Sequence, residues 1–151
     1  MPGKKRVLAI ASAGGHWQQL MLLRPAYEAH EVHFATTLEG LGASYEAHPC
    51  HVVPDCNRNE KIAMIRSAVA VFALVLRLRP DVILTTGALP GVMALAAGRL
   101  VRARTVWVDS VANAEEMSMS GRLARRFADL WLSQWESVAM REGARYEGSV
   151  L

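Results

Sequence analysis

Apolar and polar residues alternate in blocks along this chain, and the first blocks predict a strand, a turn and a helix. Residues 7–11 form a short apolar run behind three basic residues, which is typical of a buried parallel strand. Gly14 and Gly15 follow and predict a tight turn, because glycine adopts backbone angles that are closed to other residues. From His16 onward, Leu20 and Leu23 fall on one helical face.

This unit of strand, turn and helix directs free backbone N–H groups at whatever lies beyond the end of the strand. The aligned peptide dipoles of the helix add about half a positive charge at the same point. The expected ligand is therefore an anion, above all a phosphate. A tight turn without a ligand is the alternative. The position of His16, directly behind the two glycines, favours a binding site.

The rest of the chain continues the alternation of strands and helices. Residues 38–59 contain Gly, Pro, Asn and Asp without a clear period and predict a loop, with one optional short strand at 51–53. The pattern further predicts strands at 31–36, 81–85, 105–108, 130–132 and 146–151, and helices at 60–79, 91–101, a short stretch carrying Arg122, Arg125 and Arg126, and 136–141. This alternation predicts an α/β fold, with a parallel sheet that has helices on both faces.

Three connections are predicted to leave strands at the carboxyl edge of this sheet. They are the turn at Gly14 and Gly15, a second glycine turn at 87–91, and the polar stretch 109–121. In open parallel sheets, ligands bind beyond the carboxyl ends of the strands. We therefore expect the three connections to converge on one crevice.

The helix at 60–79 is apolar on two neighbouring faces. The stripe that we expect to pack on the sheet consists of Ile62, Ile65, Val69, Phe72 and Leu76. The second apolar flank consists of Met64, Ala68, Val71, Val75 and Leu78. A helix that is apolar nearly all round must be covered. The core, a second copy of the chain or another surface would have to cover the second flank.

Length and composition predict one globular domain over residues 1–151. Hydrophobic residues make up 52% and charged residues 21%, which excludes a disordered chain. No apolar run reaches the roughly 20 residues of a membrane-spanning helix, and residues 7–11 are too short for a signal peptide. We therefore expect a cytoplasmic protein.

The net charge of +3 is concentrated between residues 60 and 104, where Glu60 and Asp81 are the only acidic residues.

Several kinds of site are disfavoured by the motifs. The first turn is not G-x-G-x-x-G, and Thr36 and Thr37 stand where a dinucleotide-binding strand would end in an acidic residue. A P-loop is excluded because the glycine-lysine-serine/threonine sequence is missing. Cys50 and Cys56, with the histidines near them, do not form the two separated ligand pairs of a zinc site, so we expect no metal. The basic stretch lacks interleaved exposed aromatic residues, which argues against nucleic acid.

Four motifs, taken in order, resemble one family of glycosyltransferase subunits. They are A-S-A-G-G-H before a leucine-bearing helix, T-T-G-A-L-P-G, V-W-V-D-S with S-M-S-G-R-L, and D-L-W-L-S-Q-W-E. Together they are similar to the acceptor-side subunit of the two-chain N-acetylglucosaminyltransferase that adds the second sugar of dolichol-linked oligosaccharide. Bacterial members of this family serve capsule and exopolysaccharide synthesis. A more distant resemblance is to the N-terminal domain of MurG.

The resemblance implies the Rossmann-like, N-terminal half of a GT-B glycosyltransferase without a cofactor. A separate donor-binding partner chain would hold most of the UDP-sugar, and the active site would lie between the two chains. The acceptor would be a polyprenyl-diphosphate-linked saccharide. Carried over, the residues that hold the acceptor diphosphate are Ser12, Gly14, Gly15, His16, Gly87, Pro90 and Gly91.

Sugar transfer requires a base that removes a proton from the acceptor hydroxyl, and histidine suits this role by its ordinary pKa. The catalytic candidates are His16, Asp109, Glu115 and Glu116. The alternative is that His16 is not the base and only caps the turn or forms a hydrogen bond to a phosphate. Relatives often carry glutamate where Asp109 stands, which puts a direct catalytic role of this shorter side chain in doubt. A carboxylate here would otherwise cap the helix that begins near Ser118 or Ser120.

A lipid-linked acceptor implies a peripheral position on the inner face of the plasma membrane. Apolar flanks on the helices at 62–78 and 91–101, surrounded by arginines, suit a surface of anionic lipid. The residues predicted to face the membrane are Met64, Val71, Val75, Leu78, Arg66 and Arg77. Two other functions remain open, a non-catalytic scaffold that recruits the transferase and a small nucleotide-binding oxidoreductase.

Overall fold

The computed structural model describes residues 3–150. Its strands are β1 (Arg6–Ile10), β2 (Glu31–Thr36), β3 (Cys50–Val52), β4 (Val82–Thr85), β5 (Arg104–Val108) and β6 (Leu130–Leu132). Its helices are α1 (Gly15–Leu22), α2 (Leu41–Ser44), α3 (Lys61–Leu78), α4 (Leu89–Leu100), α5 (Met119–Ala124) and α6 (Glu136–Glu142), with a 3₁₀ turn at Arg24–Ala26. The predicted strands and helices before residue 143 are confirmed to within about two residues, with two exceptions. The helix α2 lies in the stretch predicted as a loop, and α5 begins three residues before Arg122 and ends before Arg125 and Arg126.

All six strands pair in parallel, in the order β3-β2-β1-β4-β5-β6. The register aligns Ile10 of β1 with Thr85 of β4, and Thr85 with Trp107 of β5. These three neighbouring strands therefore end at the same level of the sheet. Because the strand order reverses between β1 and β4, this level is also the switch point where open α/β sheets bind ligands.

Alternating side chains of the central strand serve two cores, one on each face of the sheet. Leu8 and Ile10 lie in a core with α3 and α4, whereas Val7 and Ala9 lie in a core with α1. Helices thus cover both faces, as predicted. The sheet and the helices on both sides of it hold the carboxyl edge, where the candidate site lies, on a rigid base.

The orientation of α3 is the main error of the sequence prediction. The stripe expected to pack on the sheet is instead largely exposed, with Ile62 at 76% and Ile65 at 64% of their accessible surface. Val71 and Val75, predicted to face a membrane, are fully buried in the core. Of the other predicted membrane-facing residues, Met64 and Leu78 are partly buried, and Arg66 and Arg77 are exposed.

The reason for this error is that both flanks of α3 are apolar, so hydrophobicity does not distinguish them. The buried residues of α3 are Ser67, Val71, Leu74 and Val75. Val71, Leu74 and Val75 share one core with α4, which is itself mostly buried and contributes Ala94 and Ala97. The flank of α4 predicted to face lipid is therefore not available.

None of the described helices is long and apolar enough to span a lipid bilayer.

The strand predicted at 146–151 does not form within its described part, and Leu151 lies outside the described residues. Only Arg145 makes a bridge to Leu132 of β6. The segment instead turns back over the end of the sheet, where the Val150 N–H donates to the side chain of Gln134 at 2.8 Å. This contact brings the end of the described chain to the edge that carries the site.

Candidate functional site

The start of α1 has the geometry of an anion site. Gly14 precedes the helix with φ of 89°, a left-handed value that favours glycine. No side chain caps the helix, and its first-turn N–H groups have no acceptor within the helix. Thr37 holds the turn from the end of β2, where its Oγ1 accepts the Ala13 N–H at 3.1 Å. At the position where a dinucleotide-binding fold carries an acidic residue, this chain has a hydroxyl that supports the turn.

His16 is held between the first and the second glycine turns. Its Nδ1 lies 3.2 Å from the Thr86 carbonyl oxygen, and the Thr86 hydroxyl donates to the His16 carbonyl oxygen at 2.5 Å. Gly87 lies directly against the imidazole, with φ of 145°, and a Cβ at this position would overlap the ring. The predicted convergence of the two turns is confirmed, and Gly87 leaves room for His16.

The contact with Thr86 also decides which ring nitrogen of His16 is free. A carbonyl oxygen only accepts hydrogen bonds, so Nδ1 must carry the proton that it donates to Thr86. In the neutral imidazole, Nε2 then has a free lone pair. In this tautomer Nε2 is the ring nitrogen that accepts a proton. Thr86 is therefore a site residue to which the sequence motifs assigned no role.

The residues predicted to hold a diphosphate are not equivalent in the structure. Gly14 and Gly15 are exposed at the start of α1, and Ser12 is buried at the end of β1. Pro90 has no N–H, and the Gly91 N–H already donates to the Ala88 carbonyl oxygen at 3.1 Å. Both are buried, so neither residue offers a free backbone N–H, and their contact with the diphosphate stays a prediction. Gly91 instead permits close packing of α4 on β4, because a Cβ there would overlap the Thr85 side chain.

A cleft of about 370 Å³ opens in front of the start of α1. Gly15 and His16 form one wall, and the connection between β5 and α5 forms the other. The lining residues on that second wall are Ser110, Ala112, Asn113 and Ser118. The volume is within the range of small-ligand sites. The cleft therefore brings an uncapped helix start, a histidine and several hydroxyl or amide groups together at the carboxyl edge.

Asp109 supports this wall from within the protein. It is 2% exposed, and Oδ1 accepts from Trp107 Nε1 at 3.0 Å and from Ser118 Oγ at 2.6 Å. Oδ2 accepts from the Ser118 N–H at 2.9 Å and from Asn113 Nδ2 at 3.2 Å. Ser118 in turn caps α5, since its Oγ accepts the Gly121 N–H. All four hydrogen bonds of the carboxylate are made within the protein, and Ser118, not Asp109, caps α5. A catalytic role of Asp109 stays a prediction.

Glu115 and Glu116 are exposed and lie outside the lining of the cleft. Glu116 pairs with Arg122 at 3.2 Å, and Arg122 also pairs with Glu142 of α6 at 2.8 Å. The hydrogen bond from the Arg122 guanidinium lowers the pKa of the Glu142 carboxyl below its ordinary value. These ion pairs tie the polar connection to α5 and α6, and they place neither glutamate beside His16.

Two buried glutamines join the walls of the cleft, and the sequence analysis gave neither a role. Gln19 of α1 contacts Ser110 and Val111 in the second wall, and Gln134 contacts both Gln19 and Asp109. A weak signal was present in the sequence. Gln19 is a polar residue next to Leu20 on the inward side of α1, where an apolar residue is expected.

Solved structures with the same fold include MurG and UDP-GlcNAc 2-epimerases. MurG from Acinetobacter baumannii superposes with a TM-score of 0.68 at 13% identity, over 86% of this chain and 41% of that one. The UDP-GlcNAc 2-epimerase from Methanocaldococcus jannaschii gives a TM-score of 0.71 at 11% identity, over 93% of this chain and 44% of that one. The chain thus spans less than half the length of these proteins. At this identity the match shows the fold alone, a Rossmann-like half of a GT-B protein.

Relatives found by sequence identify the family, which the shared fold alone does not. The UDP-N-acetylglucosamine transferase subunit ALG14 of Eremothecium gossypii is 29% identical over 180 residues, covering 97% of this chain and 80% of that protein. The mouse subunit of the same name is 36% identical over 75 residues, covering 44% of this chain and 34% of that protein. The family described as "Oligosaccharide biosynthesis protein Alg14 like" matches residues 44–150. The chain therefore belongs to the Alg14-like family of oligosaccharide biosynthesis proteins and is a homologue of a glycosyltransferase subunit.

Proposed function

We propose that this chain is the acceptor-binding subunit of a two-chain glycosyltransferase. Its reaction would transfer a sugar from a UDP-sugar to a polyprenyl-diphosphate-linked saccharide in polysaccharide biosynthesis, such as that of a capsule or exopolysaccharide. One observation carries the proposal. The uncapped start of α1, suited to a phosphate group, shares a cleft with His16, whose Nε2 is free to take a proton.

The proposed chemistry needs one base and one leaving group. The acceptor hydroxyl oxygen attacks the anomeric carbon of the donor sugar and forms the new glycosidic bond. The bond from that carbon to the UDP oxygen breaks, and UDP leaves with the electron pair. His16 Nε2 takes the hydroxyl proton. The N–H groups at the start of α1 hold the diphosphate of the acceptor, so that its sugar hydroxyl is oriented toward the donor.

The donor would be held mainly by a second chain. The named relatives are themselves transferase subunits. A donor-binding partner chain would close over the carboxyl edge of the sheet and complete the site there.

Reconstitution with the neighbouring-gene product tests this function. The two chains are co-purified and assayed with radiolabelled UDP-sugars and an undecaprenyl-diphosphate-linked saccharide in vesicles. We expect transfer of the label to the lipid fraction only when both chains are present. Transfer by the partner chain alone would contradict the proposal. A nicotinamide or flavin retained by this chain on purification would support the oxidoreductase instead.

The exposed face of α3 is the proposed contact with the membrane. Ile62, Ile65 and Val69 are largely exposed, and the exposed basic residues Lys61 and Arg66 lie among them. Apolar side chains surrounded by basic ones suit an anionic bilayer surface. This surface replaces the buried flank that the sequence analysis proposed.

The exposed face of α3 begins near the same edge of the sheet as the cleft. Arg6, at the start of β1, donates to the carbonyl oxygen of Leu78 at 2.8 Å, which places the end of α3 at the amino edge of the sheet. Arg58, just before α3, donates to the sulfur of Met119 at the start of α5. The start of α3 therefore lies near the start of α5 at the carboxyl edge, and a lipid-linked acceptor would extend from the cleft toward this face.

Replacing Ile65 with glutamate should weaken membrane binding by about tenfold, because a partly inserted isoleucine contributes about 1.5 kcal/mol or more. The measurement is flotation with vesicles of phosphatidylglycerol and phosphatidylcholine. Met140→Glu is the matched control, since Met140 is even more exposed than Ile65 but lies on α6. Unchanged flotation of Ile65→Glu, or equal losses in both variants, would contradict a contact through α3.

A further inference from the structure

A buried pair of glutamines, Gln19 and Gln134, connects the two walls of the cleft. Gln19 lies on α1, one turn behind His16, and Gln134 follows β6. Both side chains are buried. A buried amide is unfavourable unless its groups are hydrogen-bonded, so their partners show what the pair holds.

Gln19 is bonded at both ends of its amide. Nε2 donates to Ser110 Oγ at 3.0 Å, and Oε1 accepts the Val111 N–H at 3.0 Å. The Ser110 hydroxyl in turn accepts the Ala112 N–H at 3.2 Å. One side chain of α1 thereby fixes three consecutive residues of the opposite wall, two of which line the cleft.

Gln134 completes the arrangement. Its Nε2 donates to Gln19 Oε1 at 2.6 Å and to the Asp109 carbonyl oxygen at 2.9 Å, which uses both of its amide hydrogens. Its Oε1 accepts the Val150 N–H. The bond between the two amides fixes the orientation of the Gln19 amide, because Oε1 of Gln19 must then be the acceptor toward Val111.

We propose that Gln19 and Gln134 act together as positioning residues, which hold residues 110–113 at a fixed distance from the anion-binding start of α1. This inference rests on the proposed function. The pair contacts neither the phosphate site nor His16 directly. The pair instead sets the width of the cleft, in which the acceptor diphosphate and its sugar would bind. A hydrophobic pair of the same size would fill the space but leave the Val111 N–H without its acceptor.

The test uses Gln19→Met and Gln134→Met, which keep side-chain length and remove the hydrogen bonds, in the two-chain enzyme. We expect each substitution to raise KM for the lipid-diphosphate saccharide about tenfold and to lower kcat/KM by about 10- to 100-fold, since a displaced wall misplaces the acceptor. KM for the UDP-sugar should not change, because the partner chain holds the donor. The double variant should be no worse than the poorer single variant within about twofold, because the two residues share one hydrogen bond.

Thr105→Val is the control for a loss of stability alone. Thr105 Oγ1 donates to the Phe127 carbonyl oxygen at 2.6 Å near the amino edge of the sheet, away from the cleft. This variant should lower the Tm about as much as Gln19→Met and leave both KM values unchanged. Equal loss of activity in Thr105→Val would overturn the positioning role, as would additive effects in the double variant.

A second readout does not depend on activity. Hydrogen exchange at the Val111 amide should become faster by at least about tenfold in Gln19→Met and in Gln134→Met, and an unchanged rate would overturn the inference. In the transfer assay, an active wild-type enzyme with an equally active Gln19→Met variant overturns the positioning role alone. An inactive wild-type pair would overturn the proposed function and the positioning role together.

Discussion

Replacing His16 with alanine is expected to lower the rate of sugar transfer by about 10²- to 10⁴-fold, the usual contribution of a general base. The loss should be in kcat, because the variant removes the group that takes the proton from the acceptor hydroxyl. Membrane binding should be unchanged, since His16 lies in the cleft and not on the exposed face of α3. The measurement is the transfer assay with the two purified chains.

Two further variants separate the roles left open for His16. His16→Asn keeps a donor for the Thr86 carbonyl oxygen but has no basic nitrogen, so it should be as inactive as His16→Ala if His16 is the base. If His16 only binds phosphate, the asparagine should raise the acceptor KM and preserve kcat. Gly87→Ala keeps the His16 imidazole but shifts its position, because the added Cβ overlaps the ring. It should therefore lose kcat without losing any titratable group.

The scaffold hypothesis predicts a different result for the same variants. A subunit that only recruits the transferase to the membrane would retain full activity of the pair after His16→Ala. Full activity of His16→Ala would therefore contradict a catalytic role and leave recruitment as the function. Loss of activity together with loss of assembly would show that His16 supports the fold, and a pull-down of the partner chain by each variant measures this directly.

The fold was predictable because its elements are strongly periodic and appear in strict alternation. The parallel sheet, the helices on both faces and the convergence of three connections follow from that order alone. The face of α3 did not follow, because both of its flanks are apolar. Packing against α4 buries one of these flanks, and a hydrophobic period does not contain that information.

The site was predictable in part for a similar reason. Gly14, Gly15 and His16 are adjacent in the sequence, so their local motif is sufficient to place them. The second turn was identified correctly, but the role of Gly87 depends on a side chain 71 positions away. Gln19 and Gln134 are still further apart, and only the assembled sheet brings them into contact. Residues whose role depends on a distant partner are the ones that a single sequence does not reveal.

Asp109→Asn is expected to destabilise the protein by about 3–5 kcal/mol, because it breaks a buried and fully bonded charge. The carboxylate accepts four hydrogen bonds, two on each oxygen. An asparagine amide has only one acceptor oxygen, so its NH₂ group must point at two donors whichever way it is turned. A typical domain has only about 5–15 kcal/mol of total stability. The variant should therefore unfold at a clearly lower urea concentration than the wild-type chain.

Urea denaturation followed by tryptophan fluorescence measures this loss, and Trp107 is a direct reporter because its Nε1 donates to Asp109. Glu116→Gln is the matched control, since it removes an exposed carboxylate from the same connection and should leave the midpoint unchanged. The two roles of Asp109 make opposite predictions. A catalytic carboxylate would give an Asp109→Asn variant with wild-type stability and no transfer activity. A structural carboxylate gives a destabilised chain whose folded fraction keeps kcat, because His16 supplies the base, and has a higher acceptor KM, because the wall of the cleft loses its support.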